Sequence, residues 1–213
     1  RCRPVPEPAR SIQLQHRTID RTKLVGLMGL YFFITYAVLV VTFYMSFLID
    51  DYRIESSFSG VVISLFFLAI MLPGFFIGRI IARLKQYVNF VSLLSIAVGL
   101  CCIGLFRDRA LIVLGALLAG LGYGAMQPVI YDKAATIAPP RSAMLALSFV
   151  MAMNYLAVMA CPFVVDFLRH LFHAQGDRFP FLLNALLTLI LAAAAGLRRN
   201  RFTLGLDASY YKN

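Results

Sequence analysis

"PGFFIGRIIARLKQY", residues 73–87, closes an apolar run at Pro73 and Gly74 and then places Arg79, Arg83 and Lys85 within seven positions. The stretch before the cations, residues 57–78, carries no charge over 22 residues. About 20 residues suffice for a helix to cross hydrocarbon at a rise of 1.5 Å per residue. A run of that length ending at a Pro-Gly break and a knot of cations reads as a membrane helix stopping in a short basic turn.

The same pattern recurs along the chain. Charge-free runs occupy residues 24–49, 57–78, 88–106, 110–131, 143–165 and 179–197, each 19 to 26 residues long. All 20 Lys and Arg and all 10 Asp and Glu fall outside them, as expected when a charge at mid-bilayer costs about 2.5–3.5 kcal/mol. Charged residues make up only 14% of the 213-residue chain and apolar residues 61%, against about 25% charged in ordinary soluble domains. In lipid every backbone amide needs an internal partner, so helices are the economical way to span. The predicted fold is an all-α polytopic membrane protein with six transmembrane helices.

An even number of spans puts both termini on one side and sorts the loops into two sets. One set holds fifteen of the twenty cations; the other holds Arg53, Arg107, Arg109, Arg169 and Arg178. By the positive-inside rule the termini, residues 79–87 and residues 132–142 are cytoplasmic. The predicted organisation is a cytoplasmic segment over 1–23, a six-helix unit over 24–197 and a cytoplasmic tail over 198–213. Residues 1–23 are polar and basic, contain no recognisable cleavable signal and begin with Arg1, so the chain is expected to be the later part of a longer one.

The turn Arg107-Asp108-Arg109 divides the six helices into two triplets, which necessarily have inverted topology. The middle helix of each carries a proline near one end, Pro73 and Pro162, and interrupted helices at matching positions point to secondary transporters built from inverted three-helix repeats. In "GALLAGLGYGAMQP", residues 115–128, Gly120, Gly122 and Gly124 offer a surface along which a neighbouring backbone can approach, and Pro128 perturbs the same helix.

With these features in place, the chain resembles the C-terminal half, helices seven to twelve, of a major facilitator superfamily transporter. Gly74-x-x-x-Gly78-Arg79-x-x-x-Arg83 is similar to the family's loop signature between the second and third helices of a half. Gly78 stands where an acid is usual and Ile81 where the second glycine is usual. Ala157-x-x-x-Cys161-Pro162 resembles a small-x-x-x-Gly-Pro element of proton-driven drug exporters, with Ala and Cys in place of both glycines. The resemblance implies alternating-access transport of a small molecule, proton-coupled efflux in a bacterial inner membrane, and an N-terminal six-helix half as partner. It also implies a central cavity lined by the first, second, fourth and fifth helices.

Polar groups at membrane depth face a bundle interior or a water-filled cavity. Together with the implied lining, this selects Tyr36, Gln127 and Asn154 as substrate contacts. Phe66 and Phe67 are among the aromatics available to hold an apolar ligand. Gly74, Arg79, Arg83 and Asp132 form the expected cytoplasmic loop and gate, with Asp132 placed to pair across to the other half. No acid lies inside a span, so Asp132 and Asp166 at helix ends are the titrating candidates on this chain. Asp166, His170 and His173 share a face only if their helix continues through Phe172; zinc binding there depends on that continuity.

Other function classes find little support. The +10 net charge is spread between long apolar runs, whereas nucleic-acid binding needs it on one polar face. Cys2, Cys101, Cys102 and Cys161 have no metal-ligand spacing. There is no H-E-x-x-H, G-x-S-x-G or P-loop sequence, so neither an enzyme nor a resident cofactor or metal is expected. The alternative is the membrane subunit of a channel or of an ATP-driven transporter whose ATPase is a separate chain.

Overall fold

In the computed structural model, residues 21–138, 142–174, 176–198 and 204 are described. The sequence expectations for residues 1–20, for Arg141 and for most of the tail beyond Arg198 lie outside them.

The described residues form helices and no strand: α1 (Arg21–Asp51), α2 (Ser57–Leu84), a 3-10 turn (Lys85–Tyr87), α3 (Val88–Leu105), α4 (Arg109–Ile137), α5 (Ala143–Leu171) and α6 (Phe179–Leu197). Five segments are long and apolar enough to cross a membrane: α1, α4, α5, α6, and the 49-residue stretch Ser57–Leu105 that contains α2, the turn and α3.

Several boundaries differ from those drawn at the charges. The second helix does not break at Pro73-Gly74; it runs on to Leu84 with Pro73 inside it, so Arg79 and Arg83 are helical. The turn comes later, where Lys85 takes a φ of 47° while its N–H still bonds the Ile81 carbonyl. Pro128 and Pro162 likewise sit inside continuous helices. A helix leaving hydrocarbon loses its need for apolar side chains but keeps its backbone bonds, so it continues past the first charged residue. Thus α4 carries Asp132 and Lys133, α5 carries Asp166, Arg169 and His170, and Arg21 to Lys23, assigned above to a loop, open α1. At the opposite end of α4 the Asp108 side chain accepts from the Ala110 N–H at 3.1 Å, an N-cap that satisfies one otherwise orphaned donor.

The packing has a definite pattern. α2 lies along α4, α5 along α1, α3 against both α4 and α6, and α1 crosses α4. The glycines of α4 make two seams rather than the single one expected. A β-carbon on Gly115 would lie 2.6 Å from the Gly99 carbonyl oxygen, and one on Gly122 would lie 2.5 Å from that of Ser92, so this face meets α3. On the other face, a β-carbon on Gly120 would lie 2.6 Å from the Phe66 carbonyl oxygen, and one on Gly124 would collide with that of Ile70 in α2. Residues two apart on a helix point about 200° apart, which is why one glycine-rich run serves two neighbours.

Four of the five minority cations gather at one end of the bundle, each on an aromatic ring. Arg178 lies over Tyr52 at 4.7 Å and Arg107 approaches the same ring at 5.7 Å; Arg109 lies over Phe58 and Arg169 over Tyr44. The Tyr52 hydroxyl faces the carbonyls of Ile103 and Gly104 at 3.1 and 2.9 Å. Arg178 also reaches Asp51 at 3.6 Å, and Arg169 reaches Asp177 at 3.0 Å. At the far end the Asn89 side chain donates to the Leu204 carbonyl at 3.0 Å, holding residue 204 beside the start of α3.

Candidate functional site

Two polar stripes meet where α1 crosses α4. Tyr31, Thr35 and Thr42 stand on one face of α1 at positions i, i+4 and i+11, and Tyr123, Gln127 and Tyr131 on one face of α4 at i, i+4 and i+8. The Tyr31 and Tyr131 hydroxyls lie 2.6 Å apart, and Gln127 Nε2 donates to Tyr131 at 3.0 Å. The Tyr123 hydroxyl sits 3.2 Å from Thr35 Oγ1, 3.4 Å from Asn154 Oδ1 and 3.5 Å from the Tyr31 hydroxyl. One phenolic hydrogen therefore faces three oxygens, all beyond the usual O–H···O distance of about 2.7–2.8 Å. Such a loose centre loses little when one neighbour is exchanged for another oxygen.

This centre forms one wall of a cavity of about 340 Å³ among four helices. α1 contributes Thr35, Val38, Leu39 and Thr42; α2 contributes Phe66, Phe67 and Ile70; α4 contributes Tyr123; α5 contributes Asn154 and Val158. The Phe66 and Phe67 rings meet edge to face at 5.5 Å. Thr42 Oγ1 is buried and has no hydrogen-bond partner among the described residues, a cost that a bound polar group would remove.

Of the residues selected from sequence, Asn154 lines the cavity and Gln127 joins the hydrogen-bonded stripe. Tyr36 is set apart from both. One position beyond Thr35 it turns about 100°, its phenol faces Asn184 of α6, and its ring is only 4% exposed. The Tyr36 hydroxyl, Asn184 Oδ1 and Thr188 Oγ1 are all buried without hydrogen-bond partners among the described residues. Tyr31, Thr35, Tyr123 and Tyr131 were missed in the sequence, although their spacing of four and eight was the available signal.

Gly74 is exposed, with nothing within 4 Å of where a β-carbon would stand, and Arg79 stacks over Phe76 at 5.8 Å. Arg83 is exposed in the last turn of α2, where a cation complements the helix dipole. Asp132 is exposed, and Lys133 beside it is buried at 1% exposure, a different environment from a membrane-surface anchor. At the other end, Asp166, Arg169, His170 and His173 line an open cavity of about 530 Å³. The register needed for zinc does not hold there: α5 stops at Leu171 and His173 takes a φ of 49°. No group of three metal-ligating side chains is assembled among the described residues.

The Major Facilitator Superfamily model matches residues 25–208. The chain belongs to this superfamily. Its members are secondary transporters, so the chain is an integral membrane protein of a transport family, and the bilayer and a small-molecule substrate are its partners. Among curated proteins none matches the chain.

Proposed function

We propose that residues 24–197 are the second, C-terminal half of a transporter that exports a small molecule by alternating access, coupled to protons, from the cytoplasm of a bacterial cell. The single observation carrying this reading is the cavity shared by α1, α2, α4 and α5, with a hydrogen-bonded centre inside a bundle whose outer faces are apolar. The Ser57–Leu105 segment at about 1.5 Å per residue is more than twice the thickness of a hydrocarbon core of about 30 Å, which supports two spans there and six in all.

Helix pairing supports inverted repeats. Exchanging α1 with α4, α2 with α5 and α3 with α6 converts the α2–α4 pair into α5–α1 and leaves α1–α4 and α3–α6 as they are. The α3–α4 contact departs from this relation: its exchange partner, α6–α1, is much weaker and lacks the glycine seam. The gathering of Arg107, Arg109, Arg169 and Arg178 at one end supports the cytoplasmic assignment of the opposite end.

In this reading Asn154, Tyr123, Thr35 and Thr42 contact substrate, Gln127 steadies the Tyr31–Tyr131 pair, and Tyr36 holds α1 against α6. Gly74, Arg79, Arg83 and Asp132 belong to the cytoplasmic end, against which the other half rocks. The test is reconstitution of the full-length protein into liposomes, with uptake of uncharged, cationic and anionic aryl compounds measured under an imposed pH gradient. Gradient-dependent accumulation of at least one class that an uncoupler abolishes is expected; accumulation of none refutes coupled transport.

A further inference from the structure

We propose that the substrate portion held by this chain is uncharged and elongated, apolar in its middle and hydrogen-bonding at both ends, with those ends about 10 Å apart along α1. The inference rests on the cavity being the transport site and adds the chemistry of what enters it.

Three observations carry it. First, every residue lining the cavity is uncharged. An ion there would surrender its hydration without a counter-charge from this chain, at a cost of several kcal/mol. Second, the polar groups sit at two separated levels. Thr35, Tyr123 and Asn154 form one; Thr42 forms the other, seven residues along α1. At 1.5 Å per residue that separation is about 10 Å. Third, the wall between the levels is apolar and aromatic, with Val38 and Phe66 on facing helices.

The two ends ask for different partners. Asn154 Oδ1 already faces the Tyr123 hydroxyl, so its Nδ2 hydrogens are what it offers, and they suit a ligand oxygen. Thr42 Oγ1, buried and unpartnered, can accept from a ligand hydroxyl or donate to a ligand oxygen. A rigid diol or dicarbonyl compound with an aromatic or aliphatic spine satisfies both, and each polar end restores a hydrogen bond the empty cavity lacks.

The sequence contains no tryptophan, so one introduced indole reports on the cavity alone. The full-length protein carrying Phe67→Trp, in nanodiscs, is titrated with 4,4′-biphenol, biphenyl-4,4′-dicarboxylate and 4,4′-bis(ammoniomethyl)biphenyl while indole emission is followed. Phe163→Trp, on an exposed part of α5 outside the cavity, reports partition into lipid. Val158→Trp is a second cavity reporter should Phe67→Trp fold poorly.

The diol is expected to shift cavity emission saturably without shifting Phe163→Trp, and to bind at least about tenfold more tightly than either charged analogue. The Thr42→Val, Asn154→Leu pair is expected to weaken it by about tenfold, two neutral hydrogen bonds' worth. Saturable binding of a charged analogue as tight as the diol overturns the substrate class and leaves the site standing. Equal, unsaturable shifts in cavity and lipid reporters, or no shift with any compound in folded protein, overturn the site itself and the class with it.

Discussion

A methyl group added to Gly99 tests the seam on which the bundle depends. The β-carbon of Gly99→Ala would lie 2.5 Å from the Gly115 carbonyl oxygen and 2.6 Å from the Ala119 nitrogen, both backbone atoms of α4. Neither can swing aside as a side-chain tip can, so relief requires α3 and α4 to separate by roughly 1 Å, to the usual contact distance of about 3.5 Å. A gap of that size forfeits a quarter to a half of each dispersion contact. With about thirty atom pairs across the crossing at about 0.15 kcal/mol each, the loss is about 1–2 kcal/mol, within the 1–3 kcal/mol typical of overpacking. The control is Gly29→Ala in α1, where nothing lies within 4 Å of the added carbon. Both substitutions gain the same helix propensity, about 1 kcal/mol, so their difference isolates packing. Unfolding in mixed micelles, followed by helical circular dichroism, is expected to place Gly99→Ala about 1–2 kcal/mol below Gly29→Ala, roughly tenfold or more in the unfolding constant. Equal stability of the two variants would refute the close α3–α4 approach.

Other expectations follow from named contacts. Tyr123→Phe leaves Thr35 and Asn154 without the shared phenol and is expected to cost about 0.5–1.5 kcal/mol by the same unfolding measurement, while Tyr36→Phe, whose hydroxyl makes no bond, is expected to be neutral or stabilising. Arg178→Ala removes the stack on Tyr52 and the contact with Asp51; both groups are about a third or more exposed, so the expected loss is about 1 kcal/mol, and Arg178→Lys should recover part of it. Arg79→Gln with Arg83→Gln is expected to lower transport up to about fivefold at unchanged membrane insertion, since each exposed contact is worth at most about 1 kcal/mol; an unchanged rate assigns these cations to topology alone. A cysteine at Lys85 is expected to react with an impermeant reagent only from the cytoplasmic side.

The helices were legible because hydrocarbon imposes a length and excludes charge, two constraints that act on composition and need no tertiary information. Their ends were not, because the backbone bonds that sustain a helix do not stop at the membrane surface; residues 79–84 and 132–137 extend α2 and α4 accordingly. Pro73 misled for a related reason. In a long apolar helix it removes one hydrogen bond without removing the need for the rest, so the helix resumes. For the site, depth in the bilayer identified polar residues but not the azimuth of each side chain. Tyr36 and Thr35 are adjacent in sequence and face different helices; only the pairing of α1 with both α4 and α6 decides which reaches the cavity. Spacing did hold that information for α4, where Tyr123, Gln127 and Tyr131 repeat every four residues.

Two-sided accessibility of the cavity tests the central claim most directly. Val158→Cys is placed in full-length protein whose native cysteines have been replaced, and an impermeant thiol reagent is applied to each side of oriented vesicles in turn. Labelling from both sides is expected, with a gradient or bound ligand shifting the balance between them. Labelling from one side only under every condition, or from neither, contradicts an alternately exposed site between α1, α2, α4 and α5.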